Sequence, residues 1–285
     1  MTVIFDGIAS GMLLFLISVG LSVTLGLMNF INLAHGAFAM VGGYVCVSLL
    51  NKMGVPFLAA LPLAALATAA VGVVLERTLY CRLYAATHLD QVLFSIGLVF
   101  MSIATAHYFF GAQQQPLTLP DFLQGQINLP GLDMGIYRLF LIVLGLAIAF
   151  GLQRLVSGTR FGARLRASVD NPRAARGVGI NVERIFTLTF ALGSALAGLG
   201  GALGVEMLGL DPGFPVKYIV YFLIVVAVGG SGSITGSLVA ALILGVADVA
   251  GKYYLPQVGA FVIYAIMVLM LIVRPQGLFG RRLAR

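Results

Sequence analysis

Residues 7–28 read GIASGMLLFLISVGLSVTLGLM and carry no charged side chain. A helix of this length would be about 33 Å long, enough to cross the ~30 Å hydrocarbon core of a bilayer. Five further apolar runs follow, at residues 57–76, 92–111, 136–153, 185–205 and 258–273. Because backbone groups in lipid must be paired within their own segment, these runs predict transmembrane helices.

Composition supports a membrane protein as strongly as the runs do. Hydrophobic residues make up 60% of the 285 positions and charged residues only 9%, whereas a soluble domain carries about a quarter. Three shorter apolar segments, 36–50, 216–229 and 237–251, add tilted helices, re-entrant segments or halves of broken helices. We therefore predict an all-α polytopic membrane protein with about nine transmembrane or half-spanning helices (range 8–10), some of them broken.

Basic residues predict the orientation of the chain. Thirteen of the 17 lysines and arginines fall in the loop after residue 76, in residues 154–184 or in the C-terminal tail. Since cytoplasmic loops are enriched in these residues, nine spans place the N-terminus outside and the C-terminus in the cytoplasm. We expect the membrane to be the cell inner membrane. Nucleic acid is not an expected partner, because the charge is divided among short loops and is not gathered on one soluble domain.

We expect a single integral membrane domain over residues 1–285, with two larger segments outside the bilayer. Residues 112–135 hold three prolines and should form an irregular external loop. Residues 154–184 hold seven arginines and have helix-forming character, with Pro172 at a helix start after Asn171. This cytoplasmic segment should form two short helices lying on the membrane face.

A polar break separates the first two spans. Residues 28–36, MNFINLAHG, bring Asn29, Asn32 and His35 between two apolar runs. Non-helical backbone at membrane depth is tolerated where it is buried in protein or lines a watery cavity. The alternative is a short cytoplasmic turn in which the asparagines cap helices. If the break lies at depth, Asn29 and Asn32 should hold the bent backbone and His35 should contact the substrate pathway.

A glycine-rich break, GGSGSITG at residues 229–236, begins with Gly229, Gly230 and Ser231. A phosphate-binding loop would end in a lysine followed by serine or threonine, and no lysine lies between Lys217 and Lys252. Nucleotide binding is therefore not expected, and a flexible joint between half-helices next to the substrate pathway is favoured.

The remaining polar residues do not predict catalysis or metal binding. The three histidines lie in unrelated contexts, and no cluster of histidine and cysteine suggests a metal site. Asp248 and Lys252 are four residues apart and should pair on one helical face. We expect no enzyme activity, no cofactor and no metal.

Four separated blocks resemble the permease subunits of branched-chain amino-acid ABC importers, the LivH type. These blocks are residues 29–36 with Gly42-Gly43-Tyr44, residues 164–181 (RLRASVDNPRAARGVGIN), residues 229–236, and residues 273–280 (VRPQGLFG). The resemblance implies translocation of leucine, isoleucine and valine that an extracytoplasmic substrate-binding protein delivers. It also implies a second homologous permease subunit and two cytoplasmic ATPase subunits, which would bind the ATP that this chain does not.

In that scheme residues 164–180 would be held by an ATPase subunit. The residues expected to couple the two proteins are Arg164, Arg166, Asn171, Arg173, Arg176, Gly177 and Gly179. Related importers carry urea or short amides, so these ligands are the alternative within the family. An autonomous ion-coupled secondary transporter, with its site at the two breaks, is the alternative from another class.

Overall fold

The computed structural model describes residues 1–28, 30–84, 86–129 and 132–279. Eleven α-helices account for most of this part of the chain. In order they are α1 Thr2–Met28, α2 His35–Met53, α3 Phe57–Thr78, α4 His88–Phe110, α5 Ile136–Gly158, α6 Arg160–Asp170, α7 Pro172–Gly177, α8 Val182–Leu208, α9 Phe214–Gly229, α10 Ile234–Tyr254 and α11 Gly259–Val273.

The predicted class and number of membrane helices are confirmed. Within the described residues seven helices are long and apolar enough to span a bilayer, and α9 and α11 are shorter apolar helices. Three segments differ in length from the prediction. The segments 36–50 and 237–251 belong to α2 and α10, which have 19 and 21 residues. Conversely, the run 258–273 is the 15-residue helix α11.

The two faces of the bundle differ in their secondary structure. One face carries α6 and α7, the two short helices that the sequence predicts, and we call it the basic end. The opposite face carries the segment between α4 and α5, and we call it the hairpin end. That segment was predicted to be irregular, but it contains a 3₁₀ helix, Asp121–Leu123, and two antiparallel strands, β1 Gln126–Leu129 and β2 Leu132–Gly135.

Helices α1 and α8 form the centre of the molecule and are mostly buried, whereas most residues of α4 and α5 are exposed or half-buried. Glycine permits the close packing at this centre. A Cβ atom added at Gly20 of α1 would collide with the Gly193 carbonyl oxygen of α8. One added at Gly42 of α2 would collide with the backbone of Gly198. Close backbone contact is how helices associate in lipid, where no hydrophobic force draws them together.

The sets α1–α3 and α8–α10 have the same internal organisation. Each begins with a 27-residue helix, passes through a buried turn and enters a second helix. In the first turn the Asn32 Oδ1 accepts a hydrogen bond from the Ala34 amide at 3.1 Å. In the second turn the Asp211 Oδ1 accepts one from the Gly213 amide at 2.7 Å. The second helix begins three residues after the asparagine or aspartate in both sets.

The two sets run in opposite directions across the bundle. Helices α1 and α8 are antiparallel, since Gly20 lies beside Gly193 while Ile17 lies beside Gly200. The long helix of each set packs along the last helix of the other, so that α1 lies along α10 and α8 lies along α3. This is the arrangement of an inverted-topology repeat, a common plan of membrane transporters.

Candidate substrate pathway and coupling surface

The first buried turn holds the break that the sequence placed between the first two spans. Asn32 is 1% exposed, and its Oδ1 accepts a second hydrogen bond from the Tyr80 hydroxyl at 2.9 Å. The Ile31 amide donates to the Gln91 Oε1 at 3.2 Å. Asn32 is therefore hydrogen-bonded to the backbone of the turn that it belongs to and to Tyr80. Asn29 lies outside the described residues.

His35 begins α2 well inside the bundle. Its Nε2 lies 2.7 Å from the Ile17 carbonyl oxygen, in the middle of α1. Since Ile17 precedes Met28 by eleven residues, α2 starts about 16 Å back from the end of α1. His35 is 1% exposed. In this conformation His35 anchors the start of α2 to α1, and its contact with the substrate pathway stays a prediction.

The second buried turn brings α9 to the same depth. Leu210 and Phe214 are fully enclosed. A Cβ atom added at Gly36, in the first turn of α2, would lie 3.0 Å from the Pro215 Cα in the first turn of α9. Two helix N-termini from opposite halves of the repeat thus meet inside the bundle, where helix dipoles favour negative charge.

The segment after α4 contacts this second turn directly. The Gln115 amide donates to the Leu210 carbonyl oxygen at 2.8 Å. Asn51, near the end of α2, donates to the Pro116 carbonyl oxygen at 3.2 Å. The two buried turns therefore have different partners, because Asn32 contacts Tyr80 towards the basic end and Leu210 contacts the hairpin end.

The glycine-rich break lies away from the meeting point of α2 and α9. The Gly232 amide donates to the Ser22 carbonyl oxygen at 3.1 Å, near the end of α1. Gly229 packs against the Gly236 backbone, Gly230 has a φ of +91°, and Ser231 is exposed. The segment joins the short helix α9 to the full-length helix α10, so it is a joint at the basic end and does not adjoin His35.

Most of the predicted coupling residues lie on the exposed side of α6 and α7. Leu165 and Ala175 are the apolar residues that fix the two helices to the bundle. Asn171 caps α7 by accepting from the Ala174 amide at 3.0 Å, with Pro172 in the first turn. The exposed residues are Arg164, Asn171, Arg173, Arg176, Gly177 and Gly179, of which Gly179 has a φ of +84°.

Arg166 differs from the other predicted coupling residues. It is half-buried and donates to the Val156 carbonyl oxygen at the end of α5. With Ser231 and Gly232 it lines a cavity of about 270 Å³. A Cβ atom at Gly162 would collide with the same Val156 carbonyl. Arg166 thus fixes α6 to the bundle and to the surroundings of the glycine-rich joint.

A buried carboxylate at the basic end was missed by the sequence reasoning. Glu76, 2% exposed, accepts hydrogen bonds from the Tyr84 hydroxyl and the Thr187 Oγ1, both at 2.7 Å. Burial and the neighbouring Glu76 carboxylate raise the pKa of Tyr84 far above its usual range, so Tyr84 remains a donor. The sequence did carry a signal for this site, an acidic residue at the end of an apolar run. Ionisable residues in membrane segments commonly have a functional role or a specific partner.

A largely apolar cavity lies between α2, α3 and α4 and has a volume of about 440 Å³. Its wall includes Tyr44, which was noted only as part of a motif. The Tyr44 ring stacks on Phe110 with centroids 4.2 Å apart. Ligand pockets are commonly of this size and apolar character, with a few polar groups.

Comparison with known proteins agrees with this architecture. A family model described as the permease component of branched-chain amino acid transport systems matches residues 3–271. The chain belongs to this family. It is 30% identical to the high-affinity branched-chain amino acid transport system permease protein BraD of Pseudomonas aeruginosa, over 97% of this chain and 94% of that protein.

Other relatives include two permease proteins named for the same kind of system. LivH of Salmonella typhimurium is 30% identical over 97% of this chain and 94% of its own length. LivM of Escherichia coli is 27% identical over 94% of this chain and 68% of its own length. No solved structure shows a significant match. The family is one of multi-pass transport permeases, in keeping with the seven long and two shorter apolar helices among the described residues.

Proposed function

We propose that this protein is the permease subunit of an ABC importer that carries leucine, isoleucine and valine across the cell inner membrane. The observation that carries the proposal is the inverted repeat, in which α2 and α9 begin inside the bundle and meet at Gly36 and Pro215. Transporters place their pathway where such discontinuous helices meet. Membership of the family supports the assignment to transport permeases, and the names of the relatives support branched-chain amino acids as the substrate.

The exposed arginines of α6 and α7 form the proposed docking surface for an ATPase subunit. Arg164, Arg173 and Arg176 project from helices that are fixed to the bundle by Leu165 and Ala175. A partner that moves these helices would also move the start of α8, because the Ile180 amide donates to the Ala175 carbonyl oxygen at 3.0 Å.

Three hydrogen bonds and one short 3₁₀ helix connect α8 to the first buried turn. Thr187 of α8 binds Glu76 of α3, which binds Tyr84. Tyr84 follows the 3₁₀ helix Tyr80–Leu83, and Tyr80 binds Asn32. Displacement of α6 and α7 would thereby reach the residue that holds the start of α2, which is the mechanical link that an ATP-driven permease needs.

The complete importer in this proposal has five parts. A second, homologous permease pairs with this chain, two cytoplasmic ATPases bind ATP, and an extracytoplasmic substrate-binding protein delivers the amino acid. The basic end faces the cytoplasm together with the C-terminus, and the hairpin end and the N-terminus face outwards. This chain itself holds no cofactor in the scheme.

Reconstitution tests the proposal. Proteoliposomes containing both permeases and the ATPases, with binding protein outside and ATP inside, should accumulate labelled leucine, isoleucine and valine. Omitting ATP, an ATPase or the binding protein should abolish uptake. Uptake of leucine by this chain alone, driven by a sodium or proton gradient, would establish a secondary transporter instead. Uptake of urea or acetamide without uptake of leucine would assign the substrate to the related amide importers.

A further inference from the structure

The wall of the apolar cavity between α2, α3 and α4 holds one fully buried polar atom without a partner. The Tyr44 hydroxyl is buried, and it makes no hydrogen bond to any other described residue. Three further hydroxyls line the wall. Those of Ser102 and Thr105 donate to carbonyl oxygens of their own helix at 2.7 and 2.8 Å, and Ser48 is half-buried. A buried hydroxyl left unpaired costs about 1–3 kcal/mol, so a ligand that pairs with it is favoured.

Both signs of charge lie near the Tyr44 end of this cavity. Asp211 of the second buried turn follows Leu210, and the Leu210 side chain packs on Gly43, next to Tyr44. A Cβ added at Gly43 would lie 3.0 Å from the Leu210 Cδ1. On the other side, the Lys52 Nζ lies 5.5 Å from the centroid of the Phe110 ring that stacks on Tyr44.

We propose that this cavity is a binding subsite for an α-amino acid with an aliphatic side chain, on the transport pathway of this permease. The side chain occupies the apolar space between Val71 of α3 and Met101 of α4, and the Tyr44 hydroxyl pairs with the polar end of the amino acid. Asp211 attracts the ammonium group and Lys52 attracts the carboxylate. This inference rests on the proposed function and names where its substrate binds.

A lipid acyl chain is the competing occupant of an apolar cavity in a membrane protein. It would fill the space but leave the Tyr44 hydroxyl unpaired, and it would use neither Asp211 nor Lys52. A zwitterion with a short aliphatic side chain can pair with the Tyr44 hydroxyl, and its charges are attracted by Asp211 and Lys52, which lie outside the cavity wall. The cavity volume of about 440 Å³ lies within the range of sites for small molecules.

The first test narrows the apolar part of the cavity. In the complete importer, Val71→Phe should lower the ratio of leucine uptake to valine uptake by about tenfold, because an apolar pocket discriminates single methylene groups to this degree. The same binding protein is used throughout, so its own selectivity cancels. The matched control is Val74→Phe, on the same helix, 60% exposed and outside the cavity wall, which should leave the ratio unchanged.

The second test removes the polar groups without disturbing the packing. Tyr44→Phe keeps the ring that stacks on Phe110, and Asp211→Asn keeps an oxygen that accepts from the Gly213 amide. Each should reduce leucine and valine uptake about tenfold while the unfolding midpoint of the purified permease stays the same or rises. Unchanged uptake would overturn the proposal, and so would a loss of uptake that follows a lowered unfolding midpoint.

Uptake by the wild-type importer tests the proposed function, whereas the Val71→Phe variant tests the subsite. If the wild-type importer takes up neither leucine nor valine, the proposed function is wrong. If it takes up both and Val71→Phe leaves their ratio unchanged, only the subsite is wrong, and a lipid acyl chain becomes the occupant of the cavity.

Discussion

Gly36 and Pro215 lie so close together that a methyl group added at Gly36 would be 3.0 Å from the Pro215 Cα. These residues belong to the first turns of α2 and α9, which come from the two halves of the inverted repeat. Their contact leaves no room for a side chain where the two helix N-termini meet, so any rearrangement of one helix must be felt by the other.

Gly36→Ala should therefore destabilise the permease by about 1–3 kcal/mol, the usual effect of overpacking, and should strongly reduce uptake by the complete importer. The free energy of unfolding in mixed micelles and the rate of leucine uptake measure the two effects. Gly97→Ala is the control, since nothing lies within 4 Å of a Cβ at Gly97 of α4. Equal effects of the two substitutions would contradict a special contact between α2 and α9.

The hydrogen-bonded cluster of Glu76, Tyr84 and Thr187 predicts a measurable loss of stability when one of its donors is removed. Thr187→Val deletes a 2.7 Å hydrogen bond to a buried carboxylate and should lower the free energy of unfolding by about 1.5–3 kcal/mol. Thr78→Val removes a hydroxyl that is exposed and bonds only within its own helix, so it should change stability little. If transport depends on this cluster, Thr187→Val also lowers leucine uptake per hydrolysed ATP. A Thr187→Val protein as stable as wild type would refute the role of the cluster.

The exposed arginines of α7 should decide whether the ATPases bind. Arg173→Glu combined with Arg176→Glu reverses two charges on the proposed docking surface and should abolish co-purification of the ATPases, with the permease still inserted in the membrane. Lys217→Glu reverses an exposed charge at the start of α9, away from that surface, and should not affect co-purification. Normal ATPase binding by the double variant would place the docking surface elsewhere.

The two native cysteines report the orientation directly. Cys46 is buried and Cys81 is exposed, and both are free. A membrane-impermeant maleimide should label Cys81 in inverted vesicles and not in right-side-out spheroplasts, if the basic end faces the cytoplasm. Gln124→Cys, in a variant without Cys81, should give the opposite pattern. Labelling of Cys81 from outside the cell would reverse the orientation and with it the assignment of the ATPase surface.

How far the sequence predicts this protein depends on the range of the interactions involved. A long apolar run such as residues 7–28 is sufficient to predict a membrane helix without any periodic pattern. The helix pair α6–α7 is predicted from Asn171 and Pro172, which mark a helix start. The hydrogen bond of Asn32 to the Ala34 amide is also local, since a short polar side chain at a break commonly binds nearby backbone. These features depend on neighbours in sequence.

The features that the sequence did not predict depend on contacts between distant segments. The hydrogen bond of His35 to the Ile17 carbonyl oxygen is visible only once α1 and α2 are packed, and the expected contact of His35 with the pathway stays a prediction. The Glu76–Thr187 bond joins residues 111 positions apart. The β1–β2 hairpin was not predicted because its four-residue strands are too short to show a clear alternation of polar and apolar residues among the surrounding glycines and prolines. The strands of such a short pair are hard to distinguish from irregular loop by pattern.

The different partners of the two buried turns have a consequence for the order of events in a transport cycle. Tyr80 holds Asn32 from the side of the basic end, whereas Gln115 holds Leu210 from the side of the hairpin end. A signal arriving from either side of the membrane therefore reaches a different half of the repeat first. In the proposed importer the pathway would then close at one turn before it is released at the other, so that it would never be open to both sides of the membrane at once.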